Sequence, residues 1–373
     1  MIGFCGALDI EGGAVSLGEL KRICGLHGVG SAYIGKEYGV LCDGEKNLTG
    51  GIMPFTVRYN NSLYTVAIIT DRKKGTEADV AREVIEGYME EGEEYINRLD
   101  MPYAMALYDG RCGELLLTKG HFGDKPLFYT VWNKAVYFCS SLRPLIRLWG
   151  GCVRVNKNKL TEYIDGAPTV LPEGLFCDIR PVRAGHRVIC TRFGQSDITT
   201  PPLICSERTC AIHGGEELCH SGCPDMRREL TDALYAFDYP QFDYYMAGML
   251  PRLRECRQHK QRSICVCDDA LLYGSEYSAE RAERLGNYFE VHISTAQAKS
   301  VRINTRTLKA MNRGLDKMLD QYLCDEDNVL HKLFGADYFC RLNNAKPTDL
   351  TVRKKALLCQ TAMWFERFDL VLQ

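Results

Sequence analysis

The chain has 373 residues, enough for two sizeable cores, and its 46% apolar and 25% charged content is ordinary for a globular protein. A formal net charge of −2 provides no overall field to attract nucleic acid or an anionic membrane surface, so neither partner is expected. No apolar run approaches the roughly 20 residues of a membrane span. The start of the chain lacks the basic and apolar regions of a signal peptide. We therefore expect a cytoplasmic protein.

Residues 1–195 are predicted to contain many short strands and few helices. Asn60-Asn61 is a hairpin turn signal within residues 57–70. Apolar residues recur at helical spacing from 78 to 99. Further strands are predicted at 103–108, 114–118, 127–131 and 135–138, with a last pair in 180–190. This pattern favours a layered sandwich.

Residues 196–226 form a Cys/Gly-rich segment that we interpret as a linker or loop. Residues 227–373 are predicted to form a small, mainly helical or α/β domain. The helix candidates, the first of which begins inside the linker, are 226–236, 241–258, 279–285, 305–323 and 351–370. Short strands are predicted at 263–267 and 289–294.

Eighteen cysteines is a high number for such a chain. Most lie singly among apolar residues, as do Cys139, Cys177 and Cys190, which is typical of reduced cysteine used as a small core residue. A disulfide framework is not expected in a chain this long without an export signal.

Four segments in the same order resemble one known domain. Residues 122–129 read FGDKPLFY, which is similar to the "FGxKPLYY" segment of the class II glutamine amidotransferase domain in asparagine synthetases. Residues 99–109, 138–145 and 171–185 resemble other stretches of that domain, and 354–368 resembles the last helix of the synthetases. The resemblance implies an α+β fold: a four-layer αββα sandwich of the N-terminal-nucleophile type over 1–195, followed by a truncated synthetase-like domain over 227–373.

The resemblance also implies a particular reaction, the hydrolysis of glutamine. In that family a cysteine directly after Met1 attacks the side-chain amide of glutamine, and its own α-amine serves as the base. Here that position is Ile2, which cannot form a thioester. Cys5 lies nearby, but it would need the removal of four residues to become N-terminal, and we interpret it as a core cysteine. No catalytic residue is therefore assigned.

The glutamine-binding residues of the family are mostly replaced as well. The arginine that grips the glutamine carboxylate aligns with Cys42, and the oxyanion-hole motif "NGE" aligns with residues 60–62. Asn60 keeps the side chain of that motif, and Asp79 aligns with the residue that holds the glutamine ammonium group. The resemblance makes Asn60 and Asp79 vestigial substrate-binding candidates.

The second half-reaction of the family uses ATP and Mg²⁺, bound through "SGGxDS" after a strand. The nearest string, 221–225, has Cys223 and Pro224 at positions that need glycine and an amide donor. The motif is absent, so no cofactor is expected. Asp268-Asp269 follows a predicted strand and fits either a Mg²⁺ site or, in our preferred interpretation, a solvated strand end or helix cap.

A group of linker cysteines has spacings looser than those of a zinc knuckle. It fits a tetrahedral zinc site, a disulfide or a loop with unpaired thiols, and we prefer the loop and predict no bound metal. The four zinc candidates are Cys205, Cys210, Cys219 and Cys223.

Taken together, the sequence predicts a catalytically degenerate relative of the asparagine synthetases that acts as a binding or regulatory module, with a protein partner or as a homo-oligomer. One alternative is a divergent enzyme that reuses the old pocket through His121 or Cys42. Another is an active glutamine-dependent amide ligase.

Overall fold

The protein divides into two units in a computed structural model. The first unit holds Met1–Gly150 and Asp178–Arg208, and the second holds Gly151–Cys177 and Thr209–Gln373. Residues 151–177 therefore group with the second unit, whereas the sequence-based division placed them in the first. The structure describes residues 3–11, 13–24, 31–42, 54–70, 77–99, 101, 103–120, 125–150, 152–166, 174–199, 225–242, 244–260, 263–267, 284–285, 288–289, 292–296 and 305–373.

Two six-stranded sheets form the framework of the first unit, and all their strand pairs are antiparallel. The first sheet has the order β11-β8-β9-β1-β3-β2, and the second has the order β13-β12-β7-β6-β5-β4. The strands of the first sheet are β1 (Phe4–Asp9), β2 (Ser31–Ile34), β3 (Tyr38–Cys42), β8 (Phe128–Trp132), β9 (Ala135–Cys139) and β11 (Arg180–Pro181). Those of the second are β4 (Phe55–Tyr59), β5 (Ser62–Thr70), β6 (Tyr103–Asp109), β7 (Glu114–Lys119), β12 (His186–Thr191) and β13 (Gly194–Thr199).

Helices cover the outer faces of both sheets. The helices α1 (Leu17–Cys24) and α4 (Leu142–Leu148) pack on the first sheet, and α2 (Glu77–Glu91) packs on the second sheet beside α3 (Glu93–Asn97). The layers therefore run helix, sheet, sheet, helix. The predicted four-layer αββα sandwich of an α+β protein is confirmed.

The alternation of side chains along β6 explains why both faces of the second sheet are covered. Ala104 and Ala106 belong to the core between the two sheets, whereas Met105 and Leu107 belong to the core under the helices. All four are fully buried. A strand that is apolar on both faces needs apolar packing partners on both faces. One face of the second sheet packs on the first sheet, and the other face packs on α2.

The second unit is mainly helical, with two pairs of parallel strands. Arg154–Val155 (β10) pairs with Val371–Leu372 (β16), and Ser263–Cys267 (β14) pairs with His292–Ala296 (β15). The helices of this unit are α5 (Lys157–Asp165), α6 (Met226–Phe237), α7 (Tyr244–Gln258), α8 (Thr305–Leu323), α9 (Val329–Leu333), α10 (Ala336–Asn344) and α11 (Asp349–Phe368). Among the described residues, no helix is both long and apolar enough to cross a membrane.

Most of the predicted elements are present. The Asn60-Asn61 hairpin is confirmed, and both residues have the positive φ angles, 46° and 64°, that its tight turn requires. The linker predicted from residue 196 begins later, because β13 extends to Thr199. Two further predictions are wrong. The helix predicted over 78–99 breaks at Gly92, whose φ of 65° interrupts the helical backbone. Cys177 is exposed, although Cys139 and Cys190 are buried as predicted.

A buried charge cluster joins α6 to α7 in the second unit. Arg254 bonds Glu229 and Asp232, and the Tyr288 hydroxyl donates to Asp232 over 3.2 Å. The second carboxylate oxygen of Glu229 is buried, and it has no hydrogen-bond partner among the described residues. Burial raises the pKa of Glu229, although its bond to Arg254 opposes this.

We expect this carboxyl group to make the stability of the second unit depend on pH. A folded-state pKa above the unfolded value means that the stabilisation is complete below the unfolded pKa of about 4.3 and is lost as the pH rises through the folded pKa. Glu229→Gln should remove this decline, because glutamine resembles the protonated acid. Urea unfolding between pH 4 and 8 checks it, with the exposed Glu255→Gln as control. An unchanged pH profile in Glu229→Gln would contradict the prediction.

Candidate active site

The start of β1 is the position where the resembling family carries its nucleophile. β1 lies in the middle of the first sheet, with Phe4 opposite Cys42 of β3 and Cys5 opposite Cys139 of β9. Ile2 itself lies outside the described residues. The surroundings of Gly3 and Phe4 therefore define the candidate site.

Ser140 holds the backbone at the start of β1. Its hydroxyl oxygen lies 3.0 Å from the amide nitrogens of both Gly3 and Phe4 and accepts hydrogen bonds from them. The same hydroxyl lies 3.3 Å from the Phe4 carbonyl oxygen, to which it donates. Ser140 is only 5% exposed. The backbone at this point is thus fixed by side-chain hydrogen bonds in addition to strand pairing.

Gly3 lies tightly against the second sheet. A Cβ atom at this position would be 2.4 Å from Cδ1 of Ile69 in β5 and 3.1 Å from the hydroxyl oxygen of Ser140. Because a real Cβ does not approach that closely, only glycine fits here without a shift of Ile69. The start of β1 therefore lies beside the C-terminal end of β5, the strand that ends at Thr70.

Cys5 follows on the same strand and is fully buried, which confirms its interpretation as a core cysteine. Hydrogen bonding with the thiols of Cys139 and Cys24, together with burial, raises the pKa of Cys5 well above its ordinary value. The thiol is therefore protonated at neutral pH. Because the thiolate is the nucleophilic form, Cys5 is unsuited to attack a substrate in this state.

Cys42 occupies the position that the resemblance gives to the carboxylate-binding arginine. Its side chain is fully buried in the core between the two sheets. Aromatic rings fill this core nearby: Tyr38 stacks on Tyr108 with ring centroids 4.5 Å apart, and Tyr38 lies 6.1 Å from Phe138. A small buried thiol in such surroundings cannot provide the bidentate charged donor that a carboxylate requires.

The structure separates Asn60 from the start of β1. Asn60 is exposed in the turn before β5, whereas Gly3 contacts Ile69 near the other end of that strand. The seven residue-to-residue steps from Ser62 to Ile69 span about 23 Å of extended chain. Asn60 therefore does not lie where an oxyanion hole at the start of β1 would need it. The Asn-Asn pair has a structural explanation instead, since asparagine tolerates positive φ.

Asp79 lies in the first turns of α2 and is exposed. Since α2 packs on the outer face of the second sheet, that sheet separates the body of the helix from the core that contains Cys42. The structure thus does not bring Asn60 and Asp79 together. A role for Asp79 in substrate binding stays a prediction.

Two buried lysines were missed by sequence reasoning. Lys119 ends β7 and is 8% exposed, and Lys125, just before β8, is 2% exposed. Both have interaction partners in the structure. The apolar neighbours of Lys125 in FGDKPLFY were the available signal, but a lysine is rarely buried unless it is paired, and sequence alone does not show the partner. His121, predicted as a possible recruit, lies outside the described residues, as do the four linker cysteines and Asp268-Asp269.

Comparison with known proteins shows a similarity over part of the first unit. The family model of the glutamine amidotransferase domain matches residues 59–200. This part of the chain is similar to glutamine amidotransferase domains. The amidotransferase match covers β5, β6, β7, β12 and β13 of the second sheet and begins after β1 and β3.

Two kinds of relatives resemble the amidotransferase region. Asparagine synthetase [glutamine-hydrolyzing] 3 of Bacillus subtilis (strain 168) is 24% identical over 146 residues, which are 38% of this chain and 24% of that protein. The match therefore spans about a quarter of the length of this curated relative. A solved glutamine phosphoribosylpyrophosphate amidotransferase from B. subtilis, complexed with ADP and GMP, is 12% identical, with a TM-score of 0.34 over 83% of this chain and 64% of that one. A glutamine aminotransferase class-II domain protein from Silicibacter pomeroyi is 13% identical, with a TM-score of 0.28 over 54% and 92%.

Proposed function

We propose that this protein keeps the amidotransferase scaffold without glutamine hydrolysis and acts as a binding or regulatory module. The observation that carries the proposal is the burial of Cys42 in the core between the sheets, where the family resemblance expects a carboxylate-binding arginine. Losing a charged hydrogen-bonding partner of this kind costs about 2–5 kcal/mol in a buried site. Glutamine therefore has no strong anchor at this position.

The nucleophile position supports the same proposal. Ile2 cannot form an acyl-enzyme, and the nearest thiol, Cys5, is buried and held in its protonated form. The backbone that follows Ile2 is fixed by Ser140 and packed against Ile69, so Cys5 has no short route to the surface. Each of these losses removes orders of magnitude of rate when it occurs singly.

The test is a glutamine turnover assay on the purified chain. We expect no release of glutamate above background, and we expect Ile2→Cys to remain inactive because the substrate carboxylate would still lack a partner. Cys42→Arg is unsuitable for restoring the site, since it would bury an unpaired guanidinium group and damage the fold. Mass spectrometry of the intact chain should accompany the assay, to show where the chain starts.

The control is Cys5→Ser, which distinguishes a trace activity of this chain from a contaminant. Turnover in the unmodified protein that is blocked by a thiol-directed glutamine analogue and lost in Cys5→Ser would overturn the proposal. Affinity purification from the native cell, followed by mixing the purified partner with this chain, tests the module itself. A partner enzyme whose activity changes upon mixing supports the proposal, and a partner with unchanged activity would argue against a regulatory role.

A further inference from the structure

The helix α8 in the second unit carries a cationic face opposite its buried face. Lys309, Arg313 and Lys317 recur every four residues, so they lie on one side of the helix, and all three are exposed. The residues turned to the core are Leu308, Met311, Leu315, Met318, Leu319 and Tyr322. Sequence positions 299–317 contain one acidic residue, Asp316, against six basic ones: Lys299, Arg302, Arg306, Lys309, Arg313 and Lys317. This concentration of positive charge contrasts with the net charge of −2 of the whole chain.

A cavity of about 330 Å³ opens beside two of these cations. Its lining includes Lys309, Asn312 and Arg313 of α8 and Pro347, which lies just before α11. This volume is at the lower end of the range of about 300–1,000 Å³ for small-molecule sites. Lys317 lies one helical turn further on and is not part of this lining.

The two cations at the cavity have no acidic partner within the described part of the chain. Neither Lys309 nor Arg313 takes part in a salt bridge there. The nearest acid on the helix, Asp316, is already engaged, because its carboxylate bonds Lys355 over 2.5 Å and Asn312 over 2.8 Å. The positive charge at the cavity is therefore available to a ligand.

Asn312 is held in a fixed orientation between the two cations. Its carbonyl oxygen accepts from the amine of Lys355 over 3.1 Å, and its amide nitrogen donates to Asp316. Lys355 has no exposed surface. An ion pair between the buried Lys355 and the half-buried Asp316 thus supports the polar wall of the cavity, and a preorganised wall lowers the entropic cost of binding.

We propose that this cavity binds the phosphate group of a small phosphorylated molecule. A phosphate monoester carries a charge of about −1.5 to −2 at neutral pH, which balances the two cations. The arginine fork can engage two phosphate oxygens, while the lysine amine acts as a point charge. The volume leaves room for more than one phosphate group. This site is independent of the amidotransferase scaffold in the first unit.

Calorimetric titration of the full chain with inorganic phosphate and with tripolyphosphate, at fixed ionic strength, tests the proposal. We expect tripolyphosphate to bind more tightly than phosphate because it carries more charge. The Lys309→Gln/Arg313→Gln double variant should weaken tripolyphosphate binding at least about tenfold, a factor equivalent to about 1.4 kcal/mol. All substitutions are at exposed positions, and circular dichroism should show an unchanged fold.

Lys317→Gln is the matched control, since it removes one charge from the same face outside the cavity. It should change the affinity less than about threefold, within the small range expected of exposed charges. No binding of tripolyphosphate by the unmodified chain at millimolar concentration would overturn the proposal, and so would an equal loss in Lys317→Gln. A short single-stranded oligonucleotide that binds more tightly than tripolyphosphate, and whose binding depends on all three cations, would also overturn the proposal. In that case the ligand of this face would be a nucleic acid.

Discussion

Replacing Trp364 by alanine is expected to lower the free energy of unfolding of the second unit by about 3–5 kcal/mol. Trp364 is completely buried in α11. Its ring meets that of Phe176 edge-on with centroids 5.4 Å apart, and its indole nitrogen donates to the Asp238 carbonyl oxygen over 3.0 Å. The variant would leave a cavity and would remove the hydrogen bond to the buried Asp238.

Denaturant unfolding followed by circular dichroism measures this loss without relying on the fluorescence of the residue removed. Trp364→Phe keeps most of the volume and should lose less, mainly the hydrogen bond, at about 1–3 kcal/mol. Glu366→Ala, at an exposed position two residues along the same helix, should stay within about 0.5 kcal/mol of the unmodified chain. A loss below 1 kcal/mol in Trp364→Ala would mean that the contacts around this ring contribute little.

Gly6→Ala is expected to destabilise the first unit by about 3 kcal/mol, at the upper end of the usual range for overpacked cores. The new Cβ would lie 2.3 Å from the ring atom Cζ of Phe138 and 2.6 Å from the carbonyl oxygen of Gly39. The ring can move, but the carbonyl belongs to β3, which is paired with β1. Relief of the clash therefore requires a distortion at the centre of the first sheet.

The same substitution elsewhere in the unit gives a control with the opposite sign. Gly18 lies in α1, where a Cβ would meet nothing closer than the Ser16 hydroxyl at 3.6 Å. Gly18→Ala should stabilise the unit by about 0.5–1 kcal/mol, because alanine favours the helix. In the Gly6→Ala background, Phe138→Leu tests the ring clash, and a coupling energy of about 0.5–3 kcal/mol is expected for two residues in contact. A neutral Gly6→Ala would show that the centre of the first sheet can distort at no cost.

The elements with strong local patterns were predictable from sequence. The helix over 305–323 was predicted with the bounds observed, because its apolar residues recur at helical spacing on one face. The strand at 263–267 was equally clear, as a short run of Ile, Val and Cys. The resemblance to amidotransferases supplied the four-layer arrangement, which periodicity alone does not give.

The remaining features depend on contacts between distant residues. The short helices over 329–333 and 336–344 were not predicted, because five to nine residues give too little periodicity, and their stability comes from packing. Alignment by motif placed Asn60 in a substrate site, whereas the length of β5 carries it about 23 Å from the start of β1. Whether a residue can take part in a site depends on its distance along the strand as well as on its residue type.

The pairing of β10 with β16 has a consequence for folding during synthesis. Val155 forms an isolated bridge with Phe176, but the strand partners of Arg154 and Val155 are Val371 and Leu372, more than two hundred residues later. The ribosome produces the N-terminal part of a chain first, at about 5–20 residues per second. Residues 151–177 therefore emerge between the two parts of the first unit and before β16, while the strands that follow them, β11, β12 and β13, complete the two sheets of the first unit. The first unit can therefore complete its sheets before the second unit acquires the pairing of β10 with β16.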